Sequence, residues 1–312
     1  MPHWYALLFA ALAAILLDRL FGDPRRFHPL AGFGLWADAM ERRLRHPALT
    51  QPLALRLIGL LAWILALAPW LVLALWLRAK LGLVVDVLLL YFALGAKSLT
   101  QHGAAVAIPL GEGRLEEARQ RVGLMVSRDT QALDASGVAR AGVESVLENG
   151  NDAVFGALFW FAVGGGPGAL IFRLANTLDA MWGYRTPRFL HFGWAAARID
   201  DLLNYLPARL TALSYALLGK TRCALACWRK QAGAWDSPNA GPVMASGAGA
   251  LGLTLGGAAS YHGASEDRPQ LGFGAAPAAA DIGRAIALVN NALWLWLALW
   301  AALLAIGSLA RA

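Results

Sequence analysis

Long uncharged runs separated by polar clusters set the outline of this chain. Residues 57–77 and 285–310 carry no charged side chain. Each run is long enough to cross a hydrocarbon core of about 30 Å at about 1.5 Å per residue. Pro69 inside the first run predicts a kink, and Trp294, Trp296 and Trp300 punctuate the second. Residues 4–17 are apolar but short, and no basic flank precedes them, so they read as a retained first helix and not as a signal peptide. Asp86 interrupts the apolar run 81–94 and must face protein, not lipid. Residues 153–172 are uncharged yet broken by Gly164-Gly165-Gly166-Pro167, which suits either a kinked span or a re-entrant hairpin. Residues 239–262, rich in Gly and Ala, predict a close-packed helix.

Between these runs lie polar stretches too long to be connectors: 18–56, 97–152 and 173–238. The first holds Arg19, Arg25, Arg26, Arg42, Arg43, Arg45 and Arg56, which assigns it to the cytoplasmic side. In the second, Leu115, Ala118, Val122 and Met125 recur at helical spacing, and Ser127 is the expected N-cap of the next helix. The pattern predicts an all-α polytopic integral membrane protein. It forms a single domain over 1–312, with about four to six membrane segments and polar helical insertions.

Composition agrees. Of 312 residues, 58% are hydrophobic and 15% charged, and the mean hydropathy is +0.50. Soluble domains carry about 25% charged residues, so a soluble globule and a disordered chain are both excluded. The net charge of +7 sits in short basic runs beside apolar segments. Membrane lipids are therefore the expected partners and nucleic acid is not. Cys223 and Cys227, four residues apart, read as packing residues, because neighbours on one helical face rarely meet disulfide geometry.

The candidate chemistry lies where ionisable residues gather at the ends of apolar runs. Asp18, Asp23 and His28 surround a Gly-Asp-Pro turn. Glu144 and Glu148 are one helical turn apart, with Asn151 and Asp152 beyond them. Stacked acids repel unless a cation or a basic partner lies between them, and that is either Mg²⁺ or Arg140, four residues before Glu144. Asn176 and Asp179 share a face, Gly183 is expected to end their helix, and Tyr184 and Arg185 follow. Arg198, Asp200, Asp201, Asn204 and Arg209 make a further cluster. Arginine forks at 128, 185, 198 and 209 suit phosphate. Ser237-Pro238-Asn239-Ala240-Gly241 is either a helix cap or a set of backbone amides for an anion. No phosphate-binding P-loop, Gly-x-Ser-x-Gly or His-Glu-x-x-His pattern occurs.

These clusters, in this order, resemble the adenosylcobinamide-phosphate synthase family (CbiB/CobD) of cobalamin biosynthesis. The match opens with Leu-Asp-Arg-Leu-Phe-Gly-Asp-Pro at 17–24 and His28-Pro29, and runs through Ser127-Arg128-Asp129-Thr130, Glu144-Ser145, Glu148-Asn149 and Asp152. It continues through the block from Asn176 to Arg185, Phe192 to Asp201 and Asn204 to Leu210, and closes at Ser237–Gly241. Gly150-Asn151 departs from the family pattern and predicts an earlier helix end. The resemblance implies an inner-membrane ligase with a cytoplasm-facing site. It would join adenosylcobyric acid to (R)-1-amino-2-propanol or its O-phosphate with ATP and Mg²⁺, among other enzymes of the pathway.

On physical grounds the amide bond needs an activated carboxyl, most simply an acyl phosphate. Glu144, Glu148, Asp152, Asp179, Asp200 and Asp201 are the expected magnesium ligands, and Arg128, Arg185, Arg198 and Arg209 the phosphate binders. Asn176, Tyr184, Asn204 and Asn239 are expected to contact substrate. A carboxylate, or His28, takes the amine proton, and Trp160, Trp182, Tyr184 and Trp194 are candidate corrinoid contacts. Two other readings compete: a prenyltransferase-like membrane enzyme using magnesium–diphosphate, for which Asp200-Asp201-x-x-Asn204 is half a motif, and a non-catalytic corrinoid-binding membrane protein.

Overall fold

The computed structural model describes residues 2–23, 29–46, 49–261 and 263–310. In chain order its helices are α1 (Pro2–Phe21), α2 (Pro29–Leu44), α3 (Pro52–Leu81), α4 (Leu83–Ala93), α5 (Ala96–Gly111), α6 (Leu115–Val122) and α7 (Ala135–Gly150). A π-helical turn, Asn151–Phe155, leads into α8 (Gly156–Trp182), then α9 (Trp194–Leu218), α10 (Thr221–Gln231) and α11 (Ala240–Leu251). Four short strands follow, β1 (Leu255–Gly256), β2 (Ala259–Tyr261), β3 (Ala264–Glu266) and β4 (Gln270–Leu271), before α12 (Ala279–Leu309). Among the described residues five helical stretches are long and apolar enough to cross a membrane: Trp4–Phe21, Pro52–Leu81, Leu83–Gly111, Ala135–Trp182 and Ala279–Leu309. The all-α polytopic architecture therefore holds. The third stretch reaches further than the sequence pattern marked, since it includes α5.

The chain divides into two compact units, Met1–Gly95 with Gly156–Asn204, and Ala96–Phe155 with Tyr205–Ala312. In the first, Phe33, Ala37 and Met40 of α2 pack with Ala62, Ala66 and Leu67 of α3 and Leu170, Leu174 and Leu178 of α8. The Trp36 indole N–H donates to the Ala66 carbonyl at 3.2 Å. Glu41, buried here, accepts from the Arg188 Nε at 3.1 Å and Nη2 at 2.5 Å. Helix α3 continues through Pro69.

Helix α8 reverses at Gly165, whose φ of 66° and ψ of −156° lie outside helical space. A Cβ on Gly168 would overlap the Trp160 carbonyl, and one on Gly156 would overlap the Phe172 ring. Residues eight and sixteen positions apart touch only if the two arms fold back on each other. The break is therefore a hairpin and not a kink in a straight helix. Asp86 ties its tip: it accepts the Gly166 N–H at 2.7 Å and pairs with Arg78 at 3.0 Å. The expectation that Asp86 faces protein holds for this reason.

In the second unit α11 is buried along its whole length. Gly247 rests on Leu147 of α7 and Gly249 on the backbone of Ala224 in α10, so any side chain there would push the helices apart. The close-packed helix is shorter than its sequence suggested. It stops at Leu251 because Gly252 turns left-handed (φ 69°, ψ 42°). Beyond it, residues 255–271 form two antiparallel pairs, β1 with β4 and β2 with β3. Gly256 and Gly257, both at positive φ (73° and 78°), supply the bend between them.

The N-cap of α7 is Asp134, not Ser127: its Oδ1 accepts the Gly137 N–H at 2.7 Å. At its other end the Tyr215 hydroxyl donates to the Leu147 carbonyl at 3.1 Å. That inserted donor accompanies the switch to a π turn at Asn151. The helix end expected at Gly150-Asn151 is not realised: Asn151 keeps helical dihedrals (φ −66°, ψ −54°) and the chain runs on through the π turn into α8.

Breaking the hairpin clasp tests this arrangement. Asp86→Ala strands the Arg78 charge and the Gly166 N–H, and is expected to remove about 3 kcal/mol of stability. Gly165→Ala, forced into glycine-only backbone, is expected to remove about 1–3 kcal/mol. Thermal unfolding in detergent measures both, and midpoints equal to the parent protein's would contradict the clasp.

Candidate functional site

In the second unit α7 presents Glu144, Ser145, Glu148 and Asn149 to a cavity of about 160 Å³. Its other walls are Met125, Val126, Ser127 and Arg128, from the segment after α6, and Tyr261 and Arg268, from the strap of short strands. Glu144 is 4% exposed and both its oxygens are engaged. Oε1 accepts the Gly256 N–H at 2.7 Å. Oε2 accepts from Arg128 Nη2 at 2.8 Å and from both Arg268 Nη atoms at 3.4 Å. Arg140 is not its partner; that guanidinium donates to the Gly256 carbonyl at 3.2 Å instead. Such a carboxylate, with charged and amide donors in a buried setting, is held far more firmly than a surface ion pair.

The strap is itself fastened. Asp129 Oδ2 accepts from the Ser260 hydroxyl and the Gly263 N–H, both at 2.8 Å, and the Asp129 N–H donates to the Ser260 carbonyl at 2.8 Å. Arg268 donates Nε to the Gly257 carbonyl at 3.1 Å and lies over the Trp235 ring, 5.3 Å from its centroid. Arg268 and Tyr261 escaped the sequence reading. The signal was there: Glu266-Asp267-Arg268 is a charged run in a chain otherwise poor in charge, after a Gly-rich stretch.

The remaining expected residues of this unit lie in other contacts. Asn151 donates to Asp152 at 2.9 Å and accepts the Thr211 hydroxyl at 3.0 Å, so the π turn takes both away from the cavity lining. Arg209 donates to the Asn239 side chain at 2.8 Å and to the Pro238 carbonyl at 3.0 Å. Ser237 accepts the Ala240 N–H at 3.1 Å, which is the helix-cap alternative for that motif. The sulfurs of Cys223 and Cys227 lie 3.9 Å apart as free thiols.

The first unit gathers a second constellation. The Asp200 carboxylate, 9% exposed, accepts from Asn204 Nδ2 at 3.1 Å and from Asn176 Nδ2 at 3.4 Å. Asp201 pairs with Arg198 at 3.6 Å. Burial pushes the Asp201 carboxyl above the usual carboxylate range, against the pull of Arg198 and Arg185. Gly183 ends α8 as expected, its N–H donating to the Asp179 carbonyl at 2.7 Å. Tyr184 and Arg185 are exposed. Trp182 is not a corrinoid contact: it is 1% exposed and packs edge-on against Phe192, with centroids 5.2 Å apart. Trp160 donates to the Leu203 carbonyl at 2.9 Å, and Trp194 is 42% exposed, beneath Arg56. His28 lies outside the described residues.

Among the described residues no three of His, Cys, Asp and Glu converge into a metal cage. Magnesium needs less, one or two carboxylates completed by water and phosphate oxygens. Asp200 fits that requirement, because two amides orient its carboxylate as outer-shell partners orient a metal ligand.

Comparison with known proteins places these features in a family. A family model described as CobD/Cbib protein matches residues 11–289. A Chromobacterium violaceum protein named Cobalamin biosynthesis protein CobD is 60% identical over 92% of this chain and 93% of its own. Proteins of the same name from Stutzerimonas stutzeri and Mycobacterium tuberculosis are 56% and 39% identical, over 94% and 91% of this chain and 96% and 92% of their own. No solved structure matches.

The fastening of the strap generates its own test. Asp129→Ala removes the two hydrogen bonds accepted by its Oδ2, each worth about 1 kcal/mol. The variant is expected to be cut by the Glu-specific endoproteinase Glu-C after Glu266, an exposed strap residue, several times faster than the parent. Equal cleavage rates would show that the strap is held by something else.

Proposed function

The chain belongs to the CobD/Cbib family of cobalamin biosynthesis, and on that premise we propose that it is an ATP-dependent ligase of the inner membrane, its site facing the cytoplasm. It condenses the free carboxyl of adenosylcobyric acid with (R)-1-amino-2-propanol or its O-phosphate. The observation that carries this reading is the α7 cavity. It pairs one acid with no ion-pair partner among the described residues, Glu148, with two arginines fixed by Glu144. A space of about 160 Å³ has room for a three-carbon amine, with or without its phosphate, and none for a corrin ring. We therefore assign it to the amine.

The chemistry follows from what an amide needs. The corrinoid carboxylate attacks the terminal phosphorus of ATP, giving an acyl phosphate and ADP. The amine nitrogen then attacks the acyl carbon, the C–O bond to phosphate breaks, and phosphate leaves with that electron pair. The ammonium must lose a proton before it can attack. Glu148 is the group of the cavity that holds the ammonium and accepts the proton. Arg128 and Arg268 neutralise phosphoryl oxygens. Magnesium, when bound, screens the charge of the ATP phosphates. Within the first unit Asp200, oriented by Asn176 and Asn204 and followed by Asp201, is the proposed magnesium holder, with Asp179 three residues after Asn176 on α8 and Arg185 and Arg198 as the proposed phosphate ligands of that constellation.

The test is direct. Detergent-purified protein is incubated with adenosylcobyric acid, aminopropanol phosphate, ATP and Mg²⁺, and mass spectrometry follows the corrinoid. A product enlarged by the aminopropanol unit, formed only when every component is present, is expected. Glu148→Gln should lower kcat about a hundredfold or more, the scale of a lost general base. Corrinoid that binds without product would point to a carrier role instead.

A further inference from the structure

Glu144 is the most firmly engaged acid of the cavity, and its engagement argues against a chemical role. One oxygen is occupied by the Gly256 amide and the other by two guanidinium groups. A metal would have to displace two cations and a backbone donor, and a base would have to work with its lone pairs already committed. The same contacts make it an organiser. Arg128 comes from the segment before α7, and Arg268 from the strap more than a hundred residues later. Glu144 brings both to one point.

We propose that Glu144 is a positioning residue that holds Arg128, Arg268 and the Gly256 bend as a cradle for a phosphoryl group. Three features favour such a ligand. Two guanidinium groups converge on one carboxylate, so that pair of arginines keeps a positive charge uncompensated by Glu144. Arg128 lines the cavity, and its Nε is buried with no hydrogen-bond partner among the described residues, so the guanidinium is not fully committed. Arg268 is held flat by Trp235 and the Gly257 carbonyl, with the fork geometry that matches phosphate oxygens. The phosphoryl group has two possible sources, the amine's O-phosphate and the terminal phosphate of the nucleotide. Glu148 in the same cavity favours the first, because it complements an ammonium on the same small molecule. This inference deepens the ligase reading and takes its choice of ligands from it.

The experiment compares the parent protein with Glu144→Gln, which keeps shape and an acceptor for Gly256 but drops the charge. The ligation assay gives separate KM values for aminopropanol phosphate and ATP. Protection of each protein from thermal unfolding by either ligand alone is measured in parallel. For whichever ligand sits in the cradle, KM is expected to rise about tenfold or more, with kcat at saturation within about threefold, as for an interaction present in both ground and transition states. Glu144→Asp, restoring the charge, should recover part of the loss. A merely structural role would lower the unfolding midpoint without singling out one ligand.

A shift confined to aminopropanol phosphate assigns the cradle to the amine, and one confined to ATP assigns it to the nucleotide. Unchanged KM values, or a fall in kcat alone, would overturn the proposal. If Glu144→Gln fails to fold, Arg268→Lys, which keeps the charge and loses the fork, is read in the same way. If the parent protein makes no product, the ligase reading falls and protection decides the cradle. Protection by either ligand that weakens in the variant upholds it; no protection, or equal protection of both proteins, overturns it.

Discussion

A carboxylate that accepts a glycine N–H, buried at Glu144 and Asp86 and exposed at Asp129, is the contact on which the irregular parts of this molecule depend. Glu144 does this at Gly256, Asp86 at Gly166 and Asp129 at Gly263. In each case the glycine or its neighbour has positive φ, so the backbone has left regular structure and its N–H has lost a ladder or helix partner. A chain with 15% charged residues has few polar groups to spend on such places. Two of the buried acids, Asp86 and Glu144, are used where the backbone breaks. Arginine then balances the acid, as Arg78 does for Asp86 and Arg128 with Arg268 for Glu144.

The two clasps differ in outcome. At Asp86 one acid meets one arginine, and the pair closes a hairpin tip lined by glycine. At Glu144 one acid meets two arginines beside open space, which is the place proposed for a phosphoryl group. On that proposal the same physical device serves fold in one unit and recognition in the other. Glu148, one turn further along α7, is left facing the same space. The separation of work between these acids follows from their partners, not from their residue type.

Much of the membrane architecture was legible because it rests on one variable, the length of uncharged runs. Asp86 was readable as protein-facing for the same reason, since a lone acid in such a run has no alternative. The Gly164–Pro167 break was visible as a break, but its hairpin geometry was not. That depends on Gly156 and Gly168 allowing the two arms to touch, a pairing that periodicity does not report. Around the site, the shared face of Glu144 and Glu148 was legible from their spacing, and both line the cavity. Their partners were not legible. Arg140 was the obvious local neighbour of Glu144, yet the guanidinium that reaches it from downstream is Arg268, on a strap whose first part alone, to residue 262, was read as helix. A Gly-Ala-rich composition fits a packed helix as well as the glycine turns of two small hairpins, and only Gly252 marks where one gives way to the other. Gly150-Asn151 suggested a helix end, but the chain instead continues through a π turn, with the Tyr215 hydroxyl at the Leu147 carbonyl.

The central claim is that the α7 cavity holds the small amine, with its phosphoryl group against Arg128 and Arg268. A cryo-electron microscopy map of the protein in nanodiscs, with adenosylcobyric acid and aminopropanol phosphate, tests it most directly. The account predicts tetrahedral density within hydrogen-bond reach of both guanidinium groups and an amine end towards Glu148. A cavity left to water while the ligand occupies another place, or cation density bound directly to Glu144, would contradict it.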